Sequence, residues 1–176
     1  MDRIDLQILK ILQEDATVTV ADISARVALS PTPCWKRIQK METLGILQKR
    51  VALVAAPLVG LGLTVHISIQ AGDHSADKLE SFVRVVSAMP EVVEFSRLAG
   101  DVDYALKVVT TDISAYDAFY KRLTAVVPLR SVTSRFELQK IKSTTSLPLN
   151  IIHDAEIGRA AAVAVSSQRV VALRPV

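Results

Sequence analysis

The sequence predicts an α+β protein in two parts: a winged helix-turn-helix unit over residues 1–50, and a βαββαβ sheet domain of ferredoxin-like order over residues 61–149. Three observations carry this. Apolar residues recur at helical spacing as far as Gly45, the hydrophobic period falls from about 3.6 to about 2 after Leu61, and helical stretches then alternate with extended ones to about Thr144.

The first helix is set by Ile4, Ile8, Ile11 and Leu12, which share one helical face while Asp5, Lys10 and Glu14 fall elsewhere. After the β-branched run Thr17-Val-Thr-Val, residues 21–28 form a short second helix. Val20, Ile23 and Val27 make its stripe, and Asp22 sits near the positive end of its dipole. The third helix begins at Leu29-Ser30-Pro31. The Ser30 hydroxyl is expected to accept from orphan backbone N–H groups, and the fixed φ of Pro31 suits the first helical position. Its apolar stripe is Cys34, Ile38, Met41 and Leu44 or Ile46, and Gly45, free to turn left-handed, ends it. Thr32, Lys36, Arg37, Gln39 and Lys40 occupy the other face. Residues 46–54 read as a strand pair or wing, and residues 51–60 as a hinge strand or linker.

In the sheet domain residues 63–70 are the first strand. Residues 76–88 form a helix with Leu79, Phe82, Val83 and Val86 inward, stopped by Pro90. Residues 91–98 and 104–110 are strands flanking the polar turn Ala99-Gly-Asp-Val-Asp. Residues 113–127 are the second helix, with Tyr116, Phe119, Tyr120 and Leu123 on its stripe, and residues 132–141 close the set. Such a sheet carries helices on one face only. The other face needs a cover, and a second copy of the chain is the expected one, giving at least a homodimer.

With 50% hydrophobic and 22% charged residues, the chain has the balance of a globular protein rather than a disordered one. Residues 51–69 are uncharged, but Pro57, Gly60, Gly62 and His66 interrupt them, so a strand fits better than a membrane span. No basic start followed by an apolar run marks a secretory signal. A cytoplasmic protein with no membrane partner is expected. The lone Cys34 can make no internal disulfide and is read as a small buried side chain. His66, His74 and His153 show no ligand spacing, so neither a metal nor a cofactor is expected.

The net charge of +3 is modest, but between Arg26 and Arg50 six basic residues face a single acidic one, Glu42. Such a patch fits a phosphate-binding face, and on charge alone it fits a solvated helix face equally well. The order of the helices decides. Two short helices joined by a tight turn, the second basic and rich in hydrogen-bonding side chains, put that second helix in the major groove of double-stranded DNA. Ser30, Thr32 and Pro33 fall nearest the groove floor. Arg37 is the candidate for a bidentate guanine contact, and Lys36 and Lys40 for phosphate oxygens. Trp35 reads as core, or as a wedge against the first helix, in preference to a base contact.

Around Gly100 the exposed backbone N–H groups suit a carboxylate, and Asp101 or Asp103 suits an α-ammonium, although a plain polar hairpin turn accounts for the same residues. No histidine or nucleophile accompanies these carboxylates, so an enzyme is not expected.

Ile4-Asp-Leu-Gln-Ile-Leu, Ser30-Pro-Thr-Pro-Cys-Trp-Lys-Arg-Ile, Leu98-Ala-Gly-Asp-Val-Asp-Tyr-Ala-Leu-Lys-Val and Lys142-Ser-Thr-Thr-Ser-Leu-Pro-Leu follow one another in the chain. Together they resemble the leucine-responsive and asparagine-synthesis regulator (Lrp/AsnC) family of prokaryotes over residues 1–149. The resemblance implies a sequence-specific DNA-binding regulator of amino-acid metabolism. It also implies a hinge strand and a ferredoxin-like sensing domain that builds homodimers, often octamers, and binds amino acids between dimers. It turns the hairpin into an effector site formed by Gly100, Asp101, Asp103 and Tyr104, with Thr144 and Thr145 contributed by a neighbouring subunit. Relatives carry an aromatic where this chain has Val102. Trp35, His74-Ser75 and Lys142-Ser-Thr-Thr-Ser-Leu-Pro are similar to the branch controlling cysteine degradation, so cysteine and leucine lead the expected effectors. An architectural protein that wraps DNA with little sequence preference is the alternative. Residues 150–176 lie past the expected end of the family and carry no assigned role.

Overall fold

The computed structural model describes residues 1–72 and 75–152, which fall into two compact units. One is Met1–Ala52 with residues 143–152, and the other is Leu53–Lys142.

The first unit is built on α1 (Arg3–Glu14), α2 (Val20–Arg26) and α3 (Pro31–Thr43). A reciprocal capping box starts α1: the Asp2 carboxylate accepts the Asp5 N–H at 3.0 Å, and the Asp5 carboxylate accepts the Asp2 N–H at 2.8 Å. α2 starts one residue earlier than the expected 21–28 because Thr19 caps it, accepting the Asp22 N–H at 3.2 Å. Its end is a Schellman closure. The Leu29 N–H donates to the Ser24 carbonyl at 2.9 Å and the Ala28 N–H to that of Ala25 at 3.4 Å, which forces Ala28 to φ 52°. Gly45, at φ 69°, closes α3 as expected. Ile8, Leu9, Leu12, Ile23, Val27, Cys34, Ile38 and Met41 form the shared core.

By their contacts, residues 143–152 group with this unit. The Gln13 side chain accepts the Leu147 N–H at 2.7 Å and donates to the Leu147 carbonyl at 3.4 Å. The Ser146 hydroxyl donates to the Gln13 carbonyl at 3.3 Å, and Leu149 packs on the helical core.

The second unit contains β1 (Leu63–Ala71), α4 (Ala76–Ser87), β2 (Val92–Arg97), β3 (Tyr104–Thr110), α5 (Ile113–Thr124) and β4 (Leu129–Phe136). The four strands lie in the order β2-β3-β1-β4, every pair antiparallel. Alternation sends Val65, Ile67 and Ile69 of β1 and Tyr104, Leu106 and Val108 of β3 to one face, where they pack with Phe82, Val86, Tyr116, Phe119 and Leu123 of the helices.

Two expectations change, and one face of the sheet is now defined. Among the described residues no strand forms over 46–60; instead a single 3-10 turn, Ala56–Val59, sits there with Pro57 inside it. The physical reason is that a strand needs a ladder partner, and among the described residues none lies alongside. β4 starts three residues before the expected 132–141 and ends five before it, because its ladder with β1 runs only from Leu129 to Phe136. The open sheet face is not apolar. Thr64, His66, Ser68, Lys107 and Arg135 occupy it, with His66 Nε2 2.9 Å from Glu137, Arg135 bonded to Ser68 at 2.9 Å and Lys107 to Glu94 at 3.2 Å.

Candidate DNA-binding and effector sites

α3 buries the apolar stripe that the sequence predicts, and two of its other residues depart from expectation. Cys34, Ile38 and Met41 are buried, while Thr32, Pro33, Trp35, Lys36, Gln39 and Lys40 are exposed. Burial pushes the Cys34 thiol pKa up, so it is packing and not a nucleophile.

Ser30 occupies the N-cap but makes no side-chain capping bond. Pro33, at the third helical position, removes one of the two N–H groups such a cap could accept. The Ser30 hydroxyl thus stays exposed at the positive end of the helix.

Arg37 also departs from expectation. Its Nη1 lies 2.6 Å from Asp2 and 2.8 Å from Asp5, so the guanidinium ties α3 to the start of α1. Both carboxylates of the capping box are therefore used twice, once on backbone N–H groups and once on Arg37. Partial burial alone would raise the Asp2 pKa, but the Asp5 N–H and the Arg37 guanidinium outweigh it and hold the carboxyl below its ordinary value.

Trp35 is the functional candidate that sequence reasoning assigned to the core. It is 51% exposed, beside Lys36 on the solvent side of α3. The signal was available: Trp35 follows Cys34 by one residue, about 100° around the helix from the buried stripe.

In the second unit the hairpin between β2 and β3 is pinned to the end of β1. The Asp103 N–H donates to the Ile69 carbonyl at 2.9 Å, its carbonyl accepts the Leu98 N–H at 2.8 Å, and its carboxylate accepts the Ala71 N–H at 2.8 Å. Asp103 is thus a strut of the turn, whereas the Asp101 carboxylate is exposed and only the Asp101 carbonyl is engaged, by the Gln70 side-chain amide. Gly100 sits at φ 142°, which favours glycine. Tyr104 is buried within the sheet core. Thr144 and Thr145 lie in the chain that joins the first unit, both exposed, with the Thr144 hydroxyl accepting the Ser146 N–H at 3.1 Å. His74, His153 and most of the 150–176 tail lie outside the described residues.

Among the described residues no cluster of metal-ligating side chains occurs and no helix is long and apolar enough to cross a membrane. Comparison with known proteins matches residues 1–42 to the AsnC-type helix-turn-helix domain and residues 64–147 to the Lrp/AsnC ligand-binding domain. The DNA-binding transcriptional activator DecR of Escherichia coli is 45% identical over 150 residues, which is 85% of this chain and 99% of that one. An AsnC family transcriptional regulator from Agrobacterium tumefaciens superposes with a TM-score of 0.83 at 54% identity, covering 87% of this chain and all of that one. A transcriptional regulator from Neisseria meningitidis, solved as a complex with L-Met, gives 0.81 at 38% identity, covering 85% and 97%. With both family models matched in order along the chain and relatives of this identity and coverage, the chain belongs to the Lrp/AsnC family of DNA-binding transcriptional regulators.

Proposed function

We propose that the protein is a sequence-specific regulator of a gene of amino-acid metabolism, whose hold on DNA changes when a free amino acid occupies the sheet domain. The observation that carries this is the exposed face of α3. Thr32, Pro33 and Trp35 offer a methyl group, a ring and an indole to base edges and sugars, Ser30 offers a hydroxyl at the helix start, and Lys36 and Lys40 meet phosphates. Arg37 acts through α1, fixing the angle at which that face enters the groove. The ligand-binding family match and the L-Met complex of the Neisseria relative support an amino-acid effector. Cysteine, leucine and methionine are the first to try, and no cofactor enters the reading.

The working form is a homo-oligomer in the cytoplasm, where its DNA lies. Leu53, Val54, Leu58 and Val59 are exposed, Leu58 by 87%, along a segment that has no ladder partner among the described residues and suits pairing with a second copy.

Selection of bound sequences from random DNA, followed by footprinting with and without each amino acid, tests this. The expected result is one protected motif, with an affinity that shifts when one amino acid is added. A uniform affinity for all DNA with a steep salt dependence would instead establish the architectural alternative.

A further inference from the structure

Glu42, the single acidic residue between Arg26 and Arg50, stands on the face that should meet DNA, where a negative charge is out of place. It lies one helical turn beyond Gln39 on α3, and its Oε2 accepts the Gln39 side-chain N–H at 2.8 Å. Its Oε1 accepts from Arg50 Nη2 at 3.3 Å, so both carboxylate oxygens are engaged and Arg50 offsets the charge.

The consequence falls on Gln39. A glutamine amide has an acceptor oxygen on one side and a nitrogen with two donors on the other, and a free amide presents either order by turning over. A carboxylate only accepts, so turning the Gln39 amide would set oxygen against oxygen. Its order is therefore fixed. One N–H is used on Glu42, while Oε1 and the second N–H are left without a partner among the described residues, on an exposed side chain. Gln39 follows Thr32 by seven residues, which returns it to within about 20° of the same line on the helix and about 10 Å further along. Thr32, Trp35, Lys36 and Gln39 thus keep the i, i+3, i+4, i+7 spacing that lets a helix in the major groove meet successive base edges.

We propose that Gln39 reads an adenine of the operator and that Glu42 positions it. Oε1 accepts from the adenine N6 amino group while the remaining N–H donates to N7, a donor and acceptor pair that no other base edge offers in the major groove. An amide turned over presents the two groups in reverse order, which suits the adenine of a T·A pair in place of an A·T pair. The Glu42 contact therefore selects the strand on which the adenine lies. This rests on the sequence-specific reading above and adds to that face a residue and the base it takes.

Selection of bound sequences from random double-stranded DNA tests it, with the full-length protein as wild type, Gln39→Ala, Glu42→Ala and Glu42→Gln, followed by titration of the wild-type motif. The expected wild-type motif holds an adenine at one position of each half-site. Gln39→Ala loses that preference alone, and its affinity for the motif falls about tenfold. With 7-deazaadenine at that position, which lacks the N7 acceptor, the wild-type protein binds roughly fivefold or more weakly, and Gln39→Ala binds as before. Glu42→Ala still prefers A or T to G or C there but no longer tells A from T, and its affinity for unrelated DNA rises because a negative charge has gone. Glu42→Gln, whose carbonyl oxygen still accepts the N–H, keeps part of the discrimination. A Gln39→Ala motif identical with that of wild type, a uniform loss on all sequences, or a lost preference for a base other than adenine overturns the reading of Gln39. A Glu42→Ala variant that tells A from T as well as wild type overturns the positioning role. A wild-type protein that selects no motif overturns the sequence-specific reading itself.

Discussion

Replacing Arg37 by alanine separates a positioning residue from a base reader. In the folded protein its guanidinium bridges Asp2, whose side chain is 51% exposed, and Asp5, which is 13% exposed. An exposed pair such as the one with Asp2 contributes about 0.2–1 kcal/mol. The contact with the more buried Asp5 falls in the class of charged hydrogen bonds at about 1.5–3 kcal/mol. Arg37 itself is 31% exposed, so solvent screening discounts the sum, and Arg37→Ala should cost the first unit about 1–2 kcal/mol. Trp35 is the only tryptophan and lies two residues away on α3, so urea unfolding followed by its fluorescence reports on this unit. Asp5→Ala should remove much of the same energy, and the double variant should be clearly less than additive. On DNA, Arg37→Ala should weaken the selected operator and its single-base variants alike, because the helix is less firmly oriented while the base contacts survive. An unchanged urea midpoint, zero coupling to Asp5 and lost discrimination at one G·C pair would refute this and restore Arg37 as a guanine reader.

Three further outcomes follow from the same geometry. Ala28→Gly should stabilise the first unit by about 0.5–1 kcal/mol, since it removes left-handed strain of about 1–2 kcal/mol against a smaller gain in unfolded-chain entropy; a lower urea midpoint would contradict it. Leu149→Ala should cost the helical unit, and not the sheet domain, about 1–2 kcal/mol through lost packing, read as protection of the α1 amides in hydrogen exchange with the sheet amides as internal control. The Asp2 carboxyl is depressed in the folded state, so its contribution is fully present above the unfolded value of 3.8 and is lost as pH falls through the lower folded value. The stability gap between wild type and Asp2→Asn should therefore hold at neutral pH and shrink below about pH 4; a gap independent of pH would show that Asp2 acts only as an uncharged cap.

Periodicity, capping residues and turn chemistry are local, and wherever structure depends on them the sequence determines it. Ile8, Leu12, Ile23, Cys34, Ile38 and Met41 identify the helical core, Gly45 the end of α3, and strict alternation the strand Tyr104–Thr110. What depends on partners distant in sequence is decided only in three dimensions. Arg37 looks like a free cation along the chain, and only folding brings it onto Asp2 and Asp5, more than thirty residues earlier. The extent of β4 follows its ladder with β1. Gln13 bonds Leu147 and Leu149 packs on the helical core, contacts that no local pattern around residues 143–152 announces. The same holds for Asp103, a strut and not an open carboxylate, and for Trp35, exposed and not core. A residue's type limits the bonds it can make, and the tertiary neighbourhood decides which of them are already made and which remain open for DNA or a ligand.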